Sequence, residues 1–95
     1  MAKKNEEVKY KVVEKVAVLA AKEYHRMNWT TKKAEPVIET KELRKIIWGE
    51  DGETKMDLRS WILVDGVEVP GKGISLSQDE WDILQFASAQ IENIA

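Results

Sequence analysis

The sequence predicts an α+β domain in which a meandering antiparallel sheet is followed by one C-terminal helix. Three observations support this: valine-rich alternation near the start, an Asp-Gly hairpin signal in the middle, and a capped amphipathic segment near the end. The 95 residues suit one domain with a modest core. Association with a second copy would enlarge that core.

The first element is a strand over residues 8–20. Apolar side chains occupy the even positions and lysines several of the odd ones, which is the period-two pattern of a half-buried strand. The even-numbered apolar residues are Val8, Tyr10, Val12, Val16 and Val18. The segment could also be drawn as a helix, but its valines favour a strand. Residues 1–7 form a charged tail that we expect to be flexible.

Residues 22–39 show no sustained periodicity, and Pro36 disfavours a regular helix or a central strand at that point. We therefore expect a single domain spanning 8–95 with an irregular insertion at about 22–39. Its conformation should be more variable than that of the sheet.

The middle of the chain carries a hairpin signal, because Asp51-Gly52 separates 43-LRKIIWG-49 from 54-TKMDLRSWILV-64. With Asp51-Gly52 as the tip, Arg44 lies opposite Arg59. One face then carries Arg44, Ile46, Trp48, Lys55, Asp57, Arg59 and Trp61. The other, which we expect to be the core face, carries Leu43, Lys45, Ile47, Met56, Leu58, Ser60 and Ile62. Further turns are marked by Asp-Gly at 65–66 and Pro-Gly at 70–71.

The first of these faces interleaves cations with aromatic rings. Arg44 and Arg59 repel each other across the hairpin unless an anion lies between them. Trp48 and Trp61 add flat apolar surface, and positive charge with stacking rings is what a single-stranded nucleic acid requires. Partly buried tryptophans with charges that merely solvate the sheet would explain the same pattern.

The last element is a helix that begins after Ser77. Ser77 and Glu80 have the spacing of a capping box, and Asp79 is favourable beside the positive end of the helix dipole. Its apolar face carries Trp81, Leu84, Ile91 and Ile94, and Ile83 and Phe86 widen the stripe. This is more apolar surface than one small sheet covers, so we expect this helix to form a dimer interface.

Composition excludes several kinds of site. The chain has no cysteine, so disulfides, thiolate zinc sites and cysteine nucleophiles are ruled out. His25 is the only histidine and makes a poor metal site by itself. The stretch 71-GKGISLS-77 is not a P-loop, because Gly73 follows Lys72 where that motif requires a Ser or Thr. With no nucleophile–base pair or paired carboxylates either, we expect neither an enzyme nor a cofactor.

Charge and targeting signals point to a cytoplasmic protein. The start of the chain lacks the apolar segment of a signal peptide, and no run is apolar enough for a membrane span, so we expect no membrane partner. The formal net charge is -2. Residues 1–62 are basic on balance and 63–95 acidic, which permits nucleic-acid binding if the basic side chains share a face.

The order of motifs resembles the positive cofactor four family of transcriptional coactivators, particularly its short bacterial members. Two stretches carry the likeness, 57-DLRSW-61 and 71-GKGISLSQDEW-81, with support upstream from 40-TKEL-43, Trp48-Gly49 and 10-YKVVEKVAVLA-20. The loop 63–70 lacks a lysine before Pro70, and residues 22–39 are longer than the equivalent connection in typical bacterial members.

This resemblance implies a curved four-stranded antiparallel sheet, one C-terminal helix, and a homodimer joined through helices and sheet edges. It also implies binding of single-stranded DNA in grooves on the outer sheet faces, with Arg59, Trp61 and Lys72 at the motif positions. The hairpin pairing adds Arg44, Trp48 and Lys55. Proteins of transcription or replication would be further partners, in the nucleoid if the source is bacterial.

Two other readings remain open at this level. RNA would be served by the same backbone contacts and stacking, since only contacts to the 2′-OH separate the two nucleic acids. A dimeric module that binds a protein through the same sheet face would respond little to salt, whereas phosphate contacts weaken steeply with it.

Overall fold

The structure is a computed structural model that describes residues 9–50 and 52–91, and it contains four strands followed by one helix. The strands are β1 (Tyr10–Asn28), β2 (Lys33–Trp48), β3 (Thr54–Val64) and β4 (Val67–Leu76), and the helix is α1 (Gln78–Ser88). Each strand pairs antiparallel with the next, in the order β1-β2-β3-β4. The predicted α+β fold is confirmed. The tail 1–7, Val8, Asp51 and Ile94 lie outside the described residues.

Strand β1 follows the predicted strand but does not keep its alternation. Its pairing with β2 slips between Val12 and Glu14, between Lys15 and Ala17, and between Val18 and Ala20. The skipped residues, Val13, Val16 and Leu19, are 48%, 43% and 56% exposed. Such β-bulges bend a strand and increase its twist. The alternation that we expected beyond Val12 is therefore wrong, because each bulge resets which face the next side chain occupies.

The irregular structure expected at about 22–39 is wrong as well. Residues 22–28 continue β1 and 33–39 belong to β2, so the segment is the far end of one long hairpin. Pro36 is paired with His25 in this ribbon. Between Lys33 and Val37, β2 pairs only with β1 in the described chain. Proline is tolerated where a strand leaves one side unpaired.

The predicted register of the central hairpin is shifted by two residues. Arg44 lies opposite Asp57, not Arg59, and Arg59 lies opposite Glu42. The strand β2 ends at Trp48, and Gly49 takes a positive φ of 81°, so the chain leaves the sheet before Asp51-Gly52 is reached. A shift of two keeps every side chain on its predicted face, because side chains alternate with period two. In the observed register each arginine faces a carboxylate, where repulsion between Arg44 and Arg59 was expected.

The expectation for the core face is also wrong. The predicted core face is only half-buried, whereas the face with the arginines holds fully buried residues. Those residues are Glu42, Arg44, Ile46, Asp57 and Trp61. We call the face with the arginines the concave face and the opposite one the convex face.

Curvature explains why the concave face is buried. Trp61 pairs with Thr40, which lies eight residues along β2 from Trp48, about 26 Å in a straight strand. Yet the Tyr10 ring centroid is 5.4 Å from that of Trp48 and 5.5 Å from that of Trp61. The sheet therefore curls around Tyr10, and the two ends of this face close upon each other.

Strands β3 and β4 are joined by a two-residue turn, as the second Asp-Gly predicted. Asp65 and Gly66 have φ values of 54° and 75°, which suit a tight hairpin turn. The turn expected at Pro70-Gly71 is wrong, because both residues lie within β4. The register shifts at this point, between Arg59 and Trp61, where Gly71 and Lys72 lie opposite Ser60 alone. Gly73 follows this bulge, and a Cβ at this position would overlap the Arg59 Cβ and the Leu58 carbonyl oxygen.

The helix α1 begins as predicted but ends at Ser88, so Ile91, which was expected on its apolar face, lies beyond the helix. The Ser77 hydroxyl accepts a hydrogen bond from the Glu80 amide at 3.2 Å, and Glu80 Oε1 accepts one from the Ser77 amide at 2.8 Å. None of the helical residues Gln78–Ser88 is buried in the single chain. Trp81, which is half-buried, borders a depression shared with Lys45 and Met56.

We predict that Gly73→Ala destabilises the protein by roughly 1–3 kcal/mol, because the new Cβ would overlap the Arg59 Cβ and the Leu58 carbonyl oxygen. Gly71→Ala is the matched control, since its Cβ would meet only one tight neighbour, the Ser60 carbonyl oxygen at 3.2 Å. Urea unfolding midpoints measure both. Equal midpoints for the two variants would show that the close approach at Gly73 is absent.

Candidate nucleic-acid interface

The first part of the concave face is organised by the carboxylate of Asp57, which is 0% exposed. Arg59 donates to both of its oxygens, from Nε to Oδ1 at 2.7 Å and from Nη2 to Oδ2 at 2.8 Å. The Ser75 hydroxyl donates to Oδ2 at 2.6 Å and accepts from Trp48 Nε1 at 2.8 Å. A bidentate guanidinium fits a carboxylate in both geometry and charge. Asp57 therefore orients the Arg59 guanidinium and, through Ser75, the Trp48 ring.

Trp48 and Arg59 line an open depression at the edge of this face. The Arg59 Cζ lies 4.8 Å from the Trp48 ring centroid, and Arg59 Nη1 donates to the Gly71 carbonyl oxygen at 3.0 Å. Pro70, Gly71 and Ser75 complete the lining. Trp48 is half-buried and Arg59 retains 16% of its side-chain exposure. A flat ring beside a guanidinium offers one surface for stacking and one for an anion.

Lys72 and Lys55 are predicted cations that do not line this depression: Lys72 follows Gly71, which lines it, and Lys55 lines the depression beside Trp81. Lys72 lies in the bulge between Gly71 and Gly73 and is exposed. Lys55 is half-buried and pairs with Ile46 on the concave face. Neither forms an ion pair with any residue that the structure describes.

The second part of the concave face is a closed pair of Arg44 and Trp61. The Arg44 Cζ lies 3.9 Å from the Trp61 ring centroid, and the two residues are 2% and 1% exposed. Arg44 Nε donates to Glu42 Oε1 at 2.7 Å, while Nη1 and Nη2 donate to Glu68 at 3.2 and 2.9 Å. Arg44 thus bridges two carboxylates, of which Glu68 remains 39% exposed.

Electrostatics hold Glu42 in its charged form. Burial alone would raise the pKa of Glu42, but hydrogen bonds from Thr40 and Arg44 and the charges of Arg44 and Lys15 outweigh it and lower the pKa. Lys15 Nζ is 3.6 Å from Glu42 Oε1. Burial alone would lower the pKa of Arg44, but hydrogen bonds and charges from Glu68 and Glu42 outweigh it and raise the pKa, so the guanidinium stays charged.

The structure groups the predicted nucleic-acid residues into two sets. Trp48 and Arg59 line the depression, whereas Arg44 and Trp61 form the closed pair. Lys72 is next to Gly71 in the chain but outside the lining, and Lys55 belongs to neither set. Sequence reasoning missed the side chains that hold both sets together, which are Tyr10, Glu42, Glu68 and Ser75. Their period-two positions on neighbouring strands were visible in the sequence. Their partners, however, depend on the pairing register, and the predicted register was wrong by two residues.

The predicted dimer-interface residues are largely accessible in the single chain. Leu84 is 45% exposed and Ile91 66%, whereas Trp81 is half-buried. Ile83 and Phe86 add apolar surface at 69% and 72% exposure.

Within residues 9–50 and 52–91, no helix is long and apolar enough to cross a bilayer. The same residues contain no group of three or more His, Cys, Asp or Glu side chains placed to hold a metal ion.

Comparison with known proteins yields a family match. A family model described as Transcriptional Coactivator p15 (PC4) matches residues 40–87, which cover most of β2, β3, β4 and α1. Both parts of the concave face fall within this range apart from Tyr10 and Lys15. No curated protein and no solved structure matched the chain.

The Glu42 interactions predict an acid-sensitive contribution to stability. Because the folded-state pKa of Glu42 lies below the ordinary value of a glutamate, the folded state binds fewer protons than the unfolded state, and the contribution is present above that ordinary pKa. It is lost as the pH falls through the folded-state pKa. Glu42→Gln should therefore reduce the loss of stability between pH 7 and about pH 3, measured by urea unfolding.

The matched control is Glu50→Gln, which alters a carboxylate that is 72% exposed. That variant should follow the parent at both pH values. A Glu42→Gln protein with the parent's full acid dependence would contradict the assignment.

Proposed function

The chain belongs to the PC4 family of transcriptional coactivators, and on that premise we propose that it binds single-stranded DNA through the concave face of its sheet. The observation that carries the proposal is the depression in which the Trp48 ring lies beside the Arg59 guanidinium, with Lys72 exposed next to it. A base would stack on Trp48 while the adjoining phosphates meet Lys72 and Arg59.

The depression has the rigidity that selective binding requires. Trp48 is held by its hydrogen bond to Ser75, and Arg59 by two hydrogen bonds to Asp57 and one to Gly71. A side chain that is already fixed loses little conformational entropy when a ligand arrives. Lys55 lies on the same strand as Arg59 and would extend the phosphate contacts along β3.

Arg44 and Trp61 would join this site after a local exchange of partners. Glu68 is the more exposed of the two carboxylates on Arg44, and it holds the guanidinium in the bidentate geometry that a phosphate also favours. We propose that a strand phosphate displaces Glu68 from Arg44. If the guanidinium moves off the Trp61 ring with that phosphate, the ring would be uncovered for stacking.

A protein-interaction module is the second candidate function, and one observation favours it. Arg44 and Arg59 are already neutralised by Glu42, Glu68 and Asp57, so the free positive charge of this face is less than its composition suggests. A largely apolar partner would need little more. Salt separates the two functions, because only phosphate contacts make log K fall steeply with log[salt].

We also propose that the protein is a homodimer joined through α1. The helix has no buried residue in the single chain, and Leu84, Phe86 and Ile91 are at least 45% exposed. Apolar patches of this kind usually mark an interface. The half-buried convex face carries Leu58, and Ile74 beside it is 55% exposed, so the partner would find apolar surface on the sheet as well.

Strand binding can be tested by titrating tryptophan fluorescence with oligothymidine at two salt concentrations. Lys72→Gln should weaken binding and lower the salt slope by roughly 0.7, the value for one phosphate of a single strand. Lys11→Gln is the matched control, since Lys11 pairs with Ile47 on the convex face. Lys72 is preferable to Arg59, whose removal would leave the buried Asp57 without its main partner. Equal slopes for the two lysine variants would place the strand elsewhere.

Stacking on Trp48 makes a separate prediction. Trp48→Ala should cost roughly 1–3 kcal/mol of binding free energy while leaving the salt slope nearly unchanged. Trp48→Phe loses the hydrogen bond to Ser75 but keeps an aromatic ring on which a base can stack, so it should retain most of the affinity. Fluorescence anisotropy of a labelled oligothymidine measures both variants. If Trp48→Ala bound as tightly as the parent, the depression would not hold a base.

The dimer proposal predicts that Leu84→Glu dissociates the protein, because a charge would enter an apolar interface. Gln85→Glu introduces the same side chain on the adjacent helical position and should leave the assembly unchanged. Sedimentation velocity at micromolar concentration reports both. A parent that sediments as a monomer, or a Leu84→Glu variant that stays dimeric, would contradict the proposal.

A further inference from the structure

The far end of the β1–β2 hairpin projects beyond the rest of the sheet. The pairing of β2 with β3 runs from Ile38 to Ile47, so residues 33–37 and their β1 partners 24–28 form a two-stranded ribbon. We call residues 24–37 the arm. It lies wholly outside residues 40–87, to which the family match is confined. The arm is thus a feature of this chain that family membership does not explain.

The tip of the arm is a built turn. The Asn28 carbonyl oxygen accepts from the Lys32 amide at 2.7 Å, and Asn28 Oδ1 accepts from the Thr30 and Thr31 amides at 2.9 and 3.2 Å. Lys32 takes a positive φ of 63°, which closes the turn. Asn28 is fixed in turn by Glu35, whose Oε1 accepts from its Nδ2 at 3.0 Å.

Glu35 is itself held from two sides. It accepts hydrogen bonds from Asn28 and from Arg26 Nε, the latter at 3.2 Å, and these lower the pKa of its carboxyl group. The carboxylate therefore stays charged and keeps the base of the turn in place. The side chains at the tip are presented by an ordered backbone.

That backbone presents Trp29 to solvent. Trp29 is 76% exposed, the largest exposure among the large apolar side chains that the structure describes. An indole ring held in water at a projecting tip gives up the stabilisation that burial would bring. It borders a shallow depression with Met27 and Thr30. A ring so placed can serve a partner that offers a flat apolar surface.

The charges beside Trp29 identify the chemistry of that partner. Lys32 follows it in the turn and Lys33 begins β2, and neither is ion-paired with another residue of the described chain. Within the arm, the acidic Glu35 is already engaged by Arg26 and Asn28. An aromatic ring flanked by free lysines is complementary to a base flanked by phosphates.

We propose that the tip of the arm is a second contact for the same single strand, with Trp29 stacking on a base and Lys32 and Lys33 holding adjacent phosphates. This inference rests on the proposed function of the concave face. Thr40, opposite Trp61, is seven residues from Lys33, about 23 Å along the strand. At about 3.4 Å between successive nucleotides of a stacked strand, that distance corresponds to roughly seven nucleotides.

The test compares oligothymidines of about five and about thirty nucleotides, because only the longer one can span both contacts. Trp29→Ala should weaken binding of the long strand by about 5- to 150-fold, the loss of one stacked base, and leave the short strand within about 2-fold. Trp29→Phe is the matched control and should bind the long strand nearly as the parent does. Because Trp29 is exposed, the unfolding midpoint should not change.

The charges give an independent measurement. Changing Lys32 and Lys33 together to glutamine should lower the salt slope for the long strand by roughly 1.4, or two single-strand phosphates, and leave the short-strand slope unchanged. Changing both to arginine keeps the charge and should preserve the slope.

The outcomes separate this inference from the function it rests on. If the parent binds neither strand, the proposed function fails and the arm contact falls with it. If the parent binds both strands and Trp29→Ala matches it, or weakens both lengths equally, the arm contact alone is overturned. A Trp29→Ala variant whose sedimentation changes without a length-dependent loss of binding would assign the tip to a protein interface and likewise overturn the proposal.

Discussion

The burial of charge on the concave face is the constraint on which the rest of the structure depends. Asp57 is inaccessible at the centre of the sheet, and an isolated carboxylate there would be very costly. Its cost is offset by Arg59 and Ser75, and the same contacts hold Trp48. Arg44 is buried in the same way between Glu42 and Glu68. The concave face is stable only while each charge keeps its partner.

Curvature makes that arrangement possible. The three bulges of β1 bend the sheet until Tyr10 contacts both Trp48 and Trp61, which a flat sheet would keep far apart. The bend removes water from the arginines and tryptophans at once, so that ion pairs and ring contacts take the place of an aliphatic core. Among the described residues, the fully buried apolar side chains are only Val37, Ile46 and Trp61. Such a small core leaves much apolar surface to be covered by other means.

The ion pairs and ring contacts of the concave face link its stability with the proposed function. A face made of paired charges and rings can exchange an internal carboxylate for an external phosphate without exposing an aliphatic core to water. The carboxylates on Arg44 and Arg59 thus stabilise the unbound chain and, under the proposed function, would compete with a bound strand. Lys72 on the sheet and Lys32 and Lys33 on the arm have no carboxylate partner among the described residues. Changing them would therefore remove a proposed phosphate contact without breaking an internal ion pair.

Local chemistry made several features readable in the sequence. The Ser77–Glu80 capping box needs only neighbours within one helical turn, and Asp65-Gly66 needs only two residues that accept positive φ. The shared face of Trp48 and Arg59 follows from period-two alternation and survives an error of two in register. The motif order also led to the correct family and to its four-stranded sheet with one helix.

Only the tertiary structure decided which charges meet and which face is buried. The register of β2 on β3 depends on where the chain leaves the sheet, and that point is Gly49, not the more obvious Asp51-Gly52. The bulges that curl the sheet and the long ribbon of the arm arise from pairing between distant residues, for which a single strand carries no local signal. The sequence by itself therefore determined the elements and the set of side chains on each face, while long-range pairing and curvature determined that Arg44 meets Glu42 and Glu68, that Arg59 meets Asp57, and that the face carrying them is the buried one.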